Sequence, residues 1–332
     1  MITINPVTSD KCQVTRTDAH ANRVTRAAFS MVELLVAMTL LSLIVLALMA
    51  VFSSTQQAFR ASVTQTGILE GGRAAMDMIA SDLRAMTPSG GQSNYIYGGV
   101  LNSGAMNLFV TNNDNQYPPY PGSATTKYIP LKQPLPGTSA SRTNLLQWFF
   151  VLGRVNTKWT GTGYIVNSAT NSPLYPLYRF YAETNISAPP VTLFQLFQND
   201  IYYGQWTNMS HVMDGVVHLV VRAYDANGYW LTNEYRYYTP YSQINPPNVW
   251  FSPPEWGEVG YHFYSNSVPA SVEVQLGVLE DRTLQRAESL GIVGQPPPDD
   301  PAQWAYLQGQ SGHVQLFRQR VTIPNLDPSV YP

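Results

Sequence analysis

The sequence predicts an α+β protein: a long N-terminal helix, first transmembrane and then amphipathic, packed on an antiparallel β-sheet with long loops. Two observations predict this fold. An apolar segment is continued by helical spacing up to residue 88, and short apolar or aromatic runs separated by Asn, Gly and Pro fill residues 89–332. Only 12% of the residues are charged, against roughly 25% in an average soluble domain. This composition favours an exported, strand-rich protein.

Charge and cysteine content exclude several classes of function. The formal net charge of −2 does not favour a basic surface that follows phosphates, so nucleic acid is not a predicted partner. Cys12 is the single cysteine, so the chain cannot form a disulfide framework or a cysteine metal site of its own. Function is therefore expected to depend on the apolar segment and on the part of the chain that it anchors.

Residues 29–52 form the predicted transmembrane helix, with no Lys or Arg and a single acid, Glu33. At ~1.5 Å per residue this segment reaches about 36 Å, enough to cross a hydrocarbon core of roughly 30 Å. Residues 1–28 carry four basic side chains, and the first basic residue after the span is Arg60. The positive-inside rule therefore predicts a cytoplasmic N-terminal segment and an exported C-terminal part.

A cleaved signal peptide is the alternative interpretation of this segment. The apolar core of a signal peptide usually covers about 7–15 residues and ends at a small-x-small site. The apolar run of residues 34–52 is longer than that. This alternative requires cleavage after Ser53.

Glu33 is the unusual residue of the span, because a charge inside a membrane costs on the order of 2.5–3.5 kcal/mol on insertion scales. It belongs to the run RAAFSMVEL at positions 26–34, which resembles the class III leader of type IV pilins and type II secretion pseudopilins. The resemblance implies that a prepilin peptidase removes residues 1–28 by cutting between Ala28 and Phe29, and that the new N-terminus is methylated. The family strongly prefers Gly at the position of Ala28.

The resemblance also implies a role for Glu33 in assembly, in which its carboxylate pairs with the freed Phe29 amine of a neighbouring subunit. An amine and a carboxylate at the same membrane depth neutralise each other, whereas either one alone is costly in a low dielectric. The alternative is a Glu side chain near the membrane surface that snorkels or takes up a proton.

Helical spacing continues over residues 53–88, which are predicted to form a periplasmic amphipathic helix that ends at the Pro and Gly residues of 88–91. A bend is expected at Gly67 or at Gly71-Gly72. In pilins this half of the helix packs on the sheet. One face is expected to contact smaller minor subunits as well. That face contains Val63, Leu69, Met76, Ile79 and Leu83.

Residues 89–332 are predicted to form one β-rich globular domain. The clearest strand patterns are at 106–111, 145–155, 164–167, 177–182, 216–224, 271–279 and 313–323. Within 271–279, Val and Leu at alternate positions are separated by Glu273 and Gln275, as in a half-buried strand. Residues 225–228 predict a hairpin turn and 280–290 a short helix.

Three proline-rich stretches are predicted to be surface excursions of this domain rather than linkers, because strand patterns resume after each one. They are residues 117–122, 246–254 and 295–301.

The order of several exported segments is similar to that of the large minor pseudopilins of type II secretion, the J-type and W-type subunits. These segments are 214–216, 223–225, 269–274, 317–318 and 321–324. Further segments resemble a prepilin-like cassette family of Verrucomicrobia, namely 148–154, 177–183 and 272–290. The resemblance implies a pilin-like fold for the exported domain.

Candidate chemistry is sparse, and an enzyme is not expected. The histidines lack the short spacing of metal ligands, and the sequence contains no nucleophile elbow, phosphate-binding loop or dinucleotide fingerprint. The oxygens of 112–115 and 225–228 would suit Ca²⁺, but neither run has the spacing of a calcium loop with a closing Glu, which favours turns. Aromatic clusters at 235–238 and 250–256 would suit a glycan platform, although core packing is the favoured interpretation.

The sequence thus predicts a minor pilin-like subunit with a leader, residues 1–28, and a single-pass anchor in the inner membrane. Its C-terminal domain is expected in the periplasm, and its partners are expected to be prepilin peptidase, other pilin-like subunits and membrane lipid. The subunit would prime or join a type II secretion pseudopilus or a type IV pilus-like fibre near its tip. The alternative is a signal-anchored periplasmic binding or adhesion protein that does not polymerise.

Overall fold

The computed structural model describes residues 30–90, 105–112, 131–135, 137–167, 175–232, 249–252, 257–290 and 301–326. The chain divides into two units, Met1–Ala58 and Phe59–Pro332. The described part is α+β and combines a long apolar N-terminal helix with antiparallel sheets. The predicted fold class is therefore confirmed at this level.

The first element is one helix, α1, Met31–Arg84, of 54 residues. Leu, Ala and Met, which have high helix propensity, are frequent in its sequence. The helix ends before the predicted residue 88, because Met86 already pairs with Gly153 in an antiparallel bridge. Pro88 also disfavours helical backbone in the residue before it.

The N-terminal part of α1, Met31–Phe59, is long and apolar enough to span a membrane. This helix is consistent with a single-pass anchor. It begins at Met31, one residue after Ser30, and Phe29, the first residue of the predicted span, lies outside the described residues.

The second half of α1 is amphipathic, as predicted, from Ile68 onwards. Its core-facing residues are at most 5% exposed and are Ile68, Ala75, Met76, Ile79, Ala80 and Leu83. The predicted partner-binding face is wrong for three of its five residues, while Val63 and Leu69 are exposed. Val63 is 58% exposed, whereas Met76, Ile79 and Leu83 are buried against the chain's own sheets. At 100° per residue, Val63 points away from that buried stripe.

In the described part of the chain, twelve strands and three further α-helices follow α1. The strands are β1 Met106–Asn112, β2 Leu131–Pro134, β3 Ser141–Asn144, β4 Gln147–Val155, β5 Lys158–Val166, β6 Leu177–Asn185, β7 Ser210–Met213, β8 Val216–Tyr224, β9 Val249–Phe251, β10 Tyr261–Tyr264, β11 Ser271–Leu279 and β12 Val314–Thr322. The helices are α2 Val191–Tyr202, α3 Asp281–Ser289 and α4 Pro301–Gly309.

The strands that the structure describes form three antiparallel sheets. The largest has seven strands in the order β7-β6-β5-β4-β1-β10-β9, the second has the order β12-β11-β8, and β2 pairs with β3. All seven predicted strands occur, and so do the turn at 225–228 and the short helix α3. Within the proline-rich stretches, 249–251 form β9 and Pro301 begins α4, whereas 117–122 and most of the rest lie outside the described residues.

The core has two layers, one on each face of the seven-stranded sheet. The buried stripe of α1 shares one apolar cluster with both larger sheets. Helix α2 covers the opposite face and buries Leu193, Phe194 and Phe197. Its close approach requires a glycine on β5, since a Cβ at Gly163 would lie 2.5 Å from the Phe197 ring.

Two adjacent glycines of α1 provide a test of how this helix packs. A Cβ at Gly72 would lie 2.2 Å from Cε2 of Phe317, whereas one at Gly71 has nothing within 4 Å. We expect Gly71→Ala to raise the free energy of unfolding by up to about 1 kcal/mol and Gly72→Ala to lower it by about 1–2 kcal/mol through overpacking. Denaturant titration of both variants measures the difference. Equal effects would show that Phe317 does not pack on Gly72.

Candidate functional site

The start of α1 holds Glu33 in a capping box. The backbone N–H of Ser30 donates to Glu33 Oε2 at 3.0 Å, and the N–H of Val32 donates to Ser30 Oγ at 3.3 Å. This reciprocal Ser-x-x-Glu arrangement satisfies backbone donors that have no partner inside the helix. The negative charge also lies in the first turn, where the helix dipole favours it. Glu33 therefore has a function within its own chain that the sequence analysis did not consider.

Of the three predicted site residues, the structure describes only Glu33, because Ala28 and Phe29 lie outside the described residues. Glu33 is exposed, so a second chain can reach its carboxylate. A helix start with an accessible carboxylate can accept an amine from a partner. Such a pair is favourable in a low dielectric only if both charges and their hydrogen bonds are satisfied.

The end of α1 is joined to the seven-stranded sheet by an ion pair between Asp82 and Arg179 and by a hydrogen bond from Tyr164. Arg179 on β6 donates from Nε and Nη2 to the two carboxylate oxygens of Asp82 at 2.8 and 2.9 Å. The hydroxyl of Tyr164 on β5 donates to the same carboxylate. The bonds to Asp82 hold the pKa of Arg179 above its ordinary value. Burial, followed by the charge of Asp82, raises the pKa of Tyr164, so the hydroxyl stays protonated.

Among the described histidines, His218 is buried, His262 is half-buried, and both are neutral. Burial lowers the pKa of His218 to about 4 and that of His262 to about 3. His218 Nδ1 accepts the N–H of Leu145 at 3.2 Å, and the His262 ring stacks on Phe109 with centroids 4.4 Å apart. Both rings therefore contribute to packing, in agreement with the expectation that the histidines pack on the sheets or lie at the surface.

Of the two runs considered as calcium sites, the structure describes all of residues 225–228 but only the first residue of 112–115. In the turn after β8, Asp225 Oδ1 accepts the N–H of Tyr229 at 2.7 Å, and Gly228 has a φ of +85°. These are turn interactions. Residues 113–115 lie outside the described residues. Among the residues that are described, no group of three or more His, Cys, Asp or Glu side chains could hold a metal ion.

The aromatic clusters are described only in part. Phe251 is 7% exposed, and the Trp250 ring lies against His262 with centroids 4.5 Å apart. These two residues pack in the sheet, as the favoured interpretation expected. Tyr235, Tyr237, Tyr238 and Trp256 lie outside the described residues.

Sequence reasoning missed a charged network on the outer face of the three-stranded sheet. Glu273 on β11 is 4% exposed and accepts hydrogen bonds from Arg318 Nη2 at 2.7 Å and Gln275 Nε2 at 2.8 Å. Burial alone would raise the pKa of Glu273, but these bonds outweigh it and hold the pKa below its ordinary value. Arg222 on β8 pairs with Glu258 and lies 3.9 Å from Glu273.

The only signal of this network in the sequence is that Arg222, Glu273 and Arg318 occupy outward positions of their strands. The antiparallel register places Glu273 opposite Arg222 and next to Arg318. That register joins segments far apart in the chain. The network stabilises the sheet and does not by itself indicate a ligand.

The described fold and the start of α1 define a class of protein: an α+β chain with one helix able to span a membrane and antiparallel sheets packed on its second half. No protein-family model, curated protein or solved structure matches this chain.

Proposed function

We propose that this chain is a minor pilin-like subunit of a type II secretion pseudopilus or a type IV pilus-like fibre. It is cut between Ala28 and Phe29, anchored in the inner membrane by residues 29–52, and joined to other subunits through Phe29 and Glu33. The observation that carries the proposal is the continuity of α1. One helix combines an apolar segment, a carboxylate in its first turn and an amphipathic half buried on sheets.

A position at the fibre tip is supported by how α1 is used. Met76, Ile79 and Leu83 are buried against the chain's own sheets. A subunit repeated along a shaft needs lateral contacts on all sides, and burying this stripe leaves less of the helix for them. A scarce subunit at the tip needs fewer neighbours.

The second candidate is a signal-anchored periplasmic binding or adhesion protein that does not polymerise. The capping box favours it, because the bond from Ser30 to Glu33 accounts for the carboxylate without any partner. The two candidates differ in what happens at Phe29, since only the pilin-like protein needs a free N-terminus there.

N-terminal sequencing and intact-mass measurement of the protein extracted from membranes test the proposal. We expect a chain that begins at Phe29 with a methylated amine, because prepilin peptidase removes residues 1–28. Ala28→Gly is the control and should be processed at least as fast, since the family prefers Gly there. A chain that retains Met1, or that begins after Ser53, would refute the pilin-like assignment.

A further inference from the structure

Two Asn-x-Ser tripeptides occur in the sequence, at residues 185–187 and 208–210, and both lie in the described part of the 59–332 unit. An Asn two residues before Ser or Thr, with any residue except Pro between them, is the acceptor motif for N-glycosylation of exported proteins. The motif is short, so a site is distinguished by whether its asparagine can be reached. The structure separates the two tripeptides on that criterion.

The first tripeptide lies at an edge of the seven-stranded sheet. Asn185 is the last residue of β6, and Asn185, Ile186 and Ser187 are all exposed. On one side β6 pairs with β5 along its whole length, but on the other side β7 pairs only with Leu177–Arg179. Within the described part of the chain, the second half of β6 is therefore an edge strand. Such an edge can pair with an extended segment of another protein.

A tight turn presents the side chain of Asn185. The backbone N–H of Ala188 donates to the carbonyl of Asn185 at 2.9 Å. The N–H of Ile186 donates to the carbonyl of Thr157, in the turn between β4 and β5, also at 2.9 Å. These bonds fix the backbone of the turn, whereas the side-chain amide of Asn185 has no hydrogen-bond partner among the described residues. Its nitrogen is therefore accessible, and modifying it breaks no described contact.

A carboxylate accompanies this asparagine and has no counterpart at the other tripeptide. Glu183 lies two residues before Asn185, so both side chains point to the same exposed face of β6. It pairs with Lys158 on β5, and exposed pairs of this kind break at little cost. The corresponding residue before the second tripeptide is Trp206. An enzyme that binds Asn185 can therefore also bind Glu183 with a basic side chain.

The second tripeptide is held by the fold. Asn208 Nδ2 donates two hydrogen bonds, to Asp200 Oδ1 and to Gln205 Oε1, each at 3.0 Å. Met209, the middle residue of this tripeptide, is only 7% exposed. Modification of Asn208 would break both bonds of its amide and would require the buried Met209 to move. The structure therefore favours Asn185 as the acceptor.

We propose that Asn185 is an N-glycosylation site, modified by an oligosaccharyltransferase that uses a lipid-linked diphosphate sugar as donor. The Nδ2 atom of Asn185 attacks the anomeric carbon of the sugar. A C–N bond forms as the C–O bond to the diphosphate breaks, the lipid diphosphate leaves with the bonding electrons, and the amide nitrogen loses one proton. The modification needs only an exported domain, which both candidate functions share.

Glycopeptide mass spectrometry of the full-length protein, extracted from its own membranes, tests the site. We expect a glycan on the side-chain nitrogen of Asn185 and an unmodified Asn208. Asn185→Gln should lose the glycan, and so should Ser187→Ala, which keeps the asparagine but removes the hydroxyl of the motif. Ser187→Thr keeps a hydroxyl and should be modified like the natural chain. Asn208→Gln is the matched control and should keep the glycan.

These substitutions at positions 185 and 187 should leave the domain folded. Both side chains are exposed, and neither has a hydrogen-bond partner among the described residues. Tryptophan fluorescence checks folding, since all seven Trp residues lie in the 59–332 unit. Loss of the glycan then reports the loss of the acceptor and not the loss of structure.

The outcomes separate the glycosylation site from the proposed function. An unmodified Asn185, a glycan on Asn208 or on the Ser187 hydroxyl instead, or a glycan that persists in Asn185→Gln would overturn the site. The proposed function would still stand if that chain begins at Phe29 and co-purifies with fibres. A glycosylated chain that retains residues 1–28 would instead overturn the proposed function alone. A chain that protease added to spheroplasts does not digest would overturn both, because both require an exported domain.

Discussion

Replacing Asp82 with Ala is expected to lower the free energy of unfolding of the 59–332 unit by about 2–4 kcal/mol. Arg179 and Asp82 are only 22% and 16% exposed as side chains, so removing the carboxylate leaves a poorly solvated guanidinium without its bidentate partner. The Tyr164 hydroxyl loses its acceptor at the same time. The value is below the roughly 3–5 kcal/mol of a fully buried pair because water reaches both groups in part.

Asp77→Ala is the matched control, since Asp77 lies on the same helix and is exposed. It should change stability by less than about 0.5 kcal/mol, as surface substitutions usually do. Urea titration followed by tryptophan fluorescence measures both variants in detergent. The double variant Asp82→Ala with Arg179→Leu should recover part of the loss, because the unpaired cation is gone. If Asp82→Ala and Asp77→Ala behave alike, this junction does not hold α1 to the sheet.

Substituting Glu33 should separate its two functions. Glu33→Gln keeps the capping box, because Gln also accepts the Ser30 N–H, but it removes the charge. If Glu33 pairs with a neighbour's amine, both Glu33→Gln and Glu33→Val should reduce incorporation into fibres about tenfold or more, since losing one partner of an ion pair in a low dielectric costs several kcal/mol. Membrane insertion should be unchanged in both. Quantitative mass spectrometry of sheared fibres and of membranes measures the two amounts.

Ser30→Ala is the complementary control, because it removes the hydroxyl of the capping box and leaves the carboxylate. Loss of this cap costs about 1 kcal/mol of helix stability and should leave assembly nearly unchanged if pairing is the mechanism. The opposite pattern, in which Glu33→Gln assembles normally while Ser30→Ala and Glu33→Val are both impaired, would assign Glu33 to capping alone.

Elements with a strong local pattern were predictable from the sequence. Helix α1 follows from an apolar run and 3.6-residue spacing, and β8, β11 and β12 follow from dense apolar and β-branched residues. In the turn after β8, Gly228 has the positive φ that glycine tolerates best. In each case the residues that decide the structure are neighbours in the chain.

Elements with a weak local pattern were missed. The first half of β5 is rich in Thr and Gly, and it becomes a strand because β4 and β6 pair on both sides of it. Helix α2 contains many aromatic and β-branched residues, which have low helix propensity. Its spacing of Leu193, Phe194 and Phe197 was an available signal, but burial against β5 is what makes the helix favourable.

The sequence alone determined the parts of this protein that depend on neighbouring residues: a helix long and apolar enough to span a membrane, with Glu33 near its start, an amphipathic continuation and a strand-rich domain. Only the tertiary structure decided which face of α1 is buried. The buried face includes Met76, Ile79 and Leu83. Helical periodicity reports that an apolar stripe must be covered. The periodicity does not indicate which element covers the stripe, because the covering sheets are made of strands that are far apart in the chain.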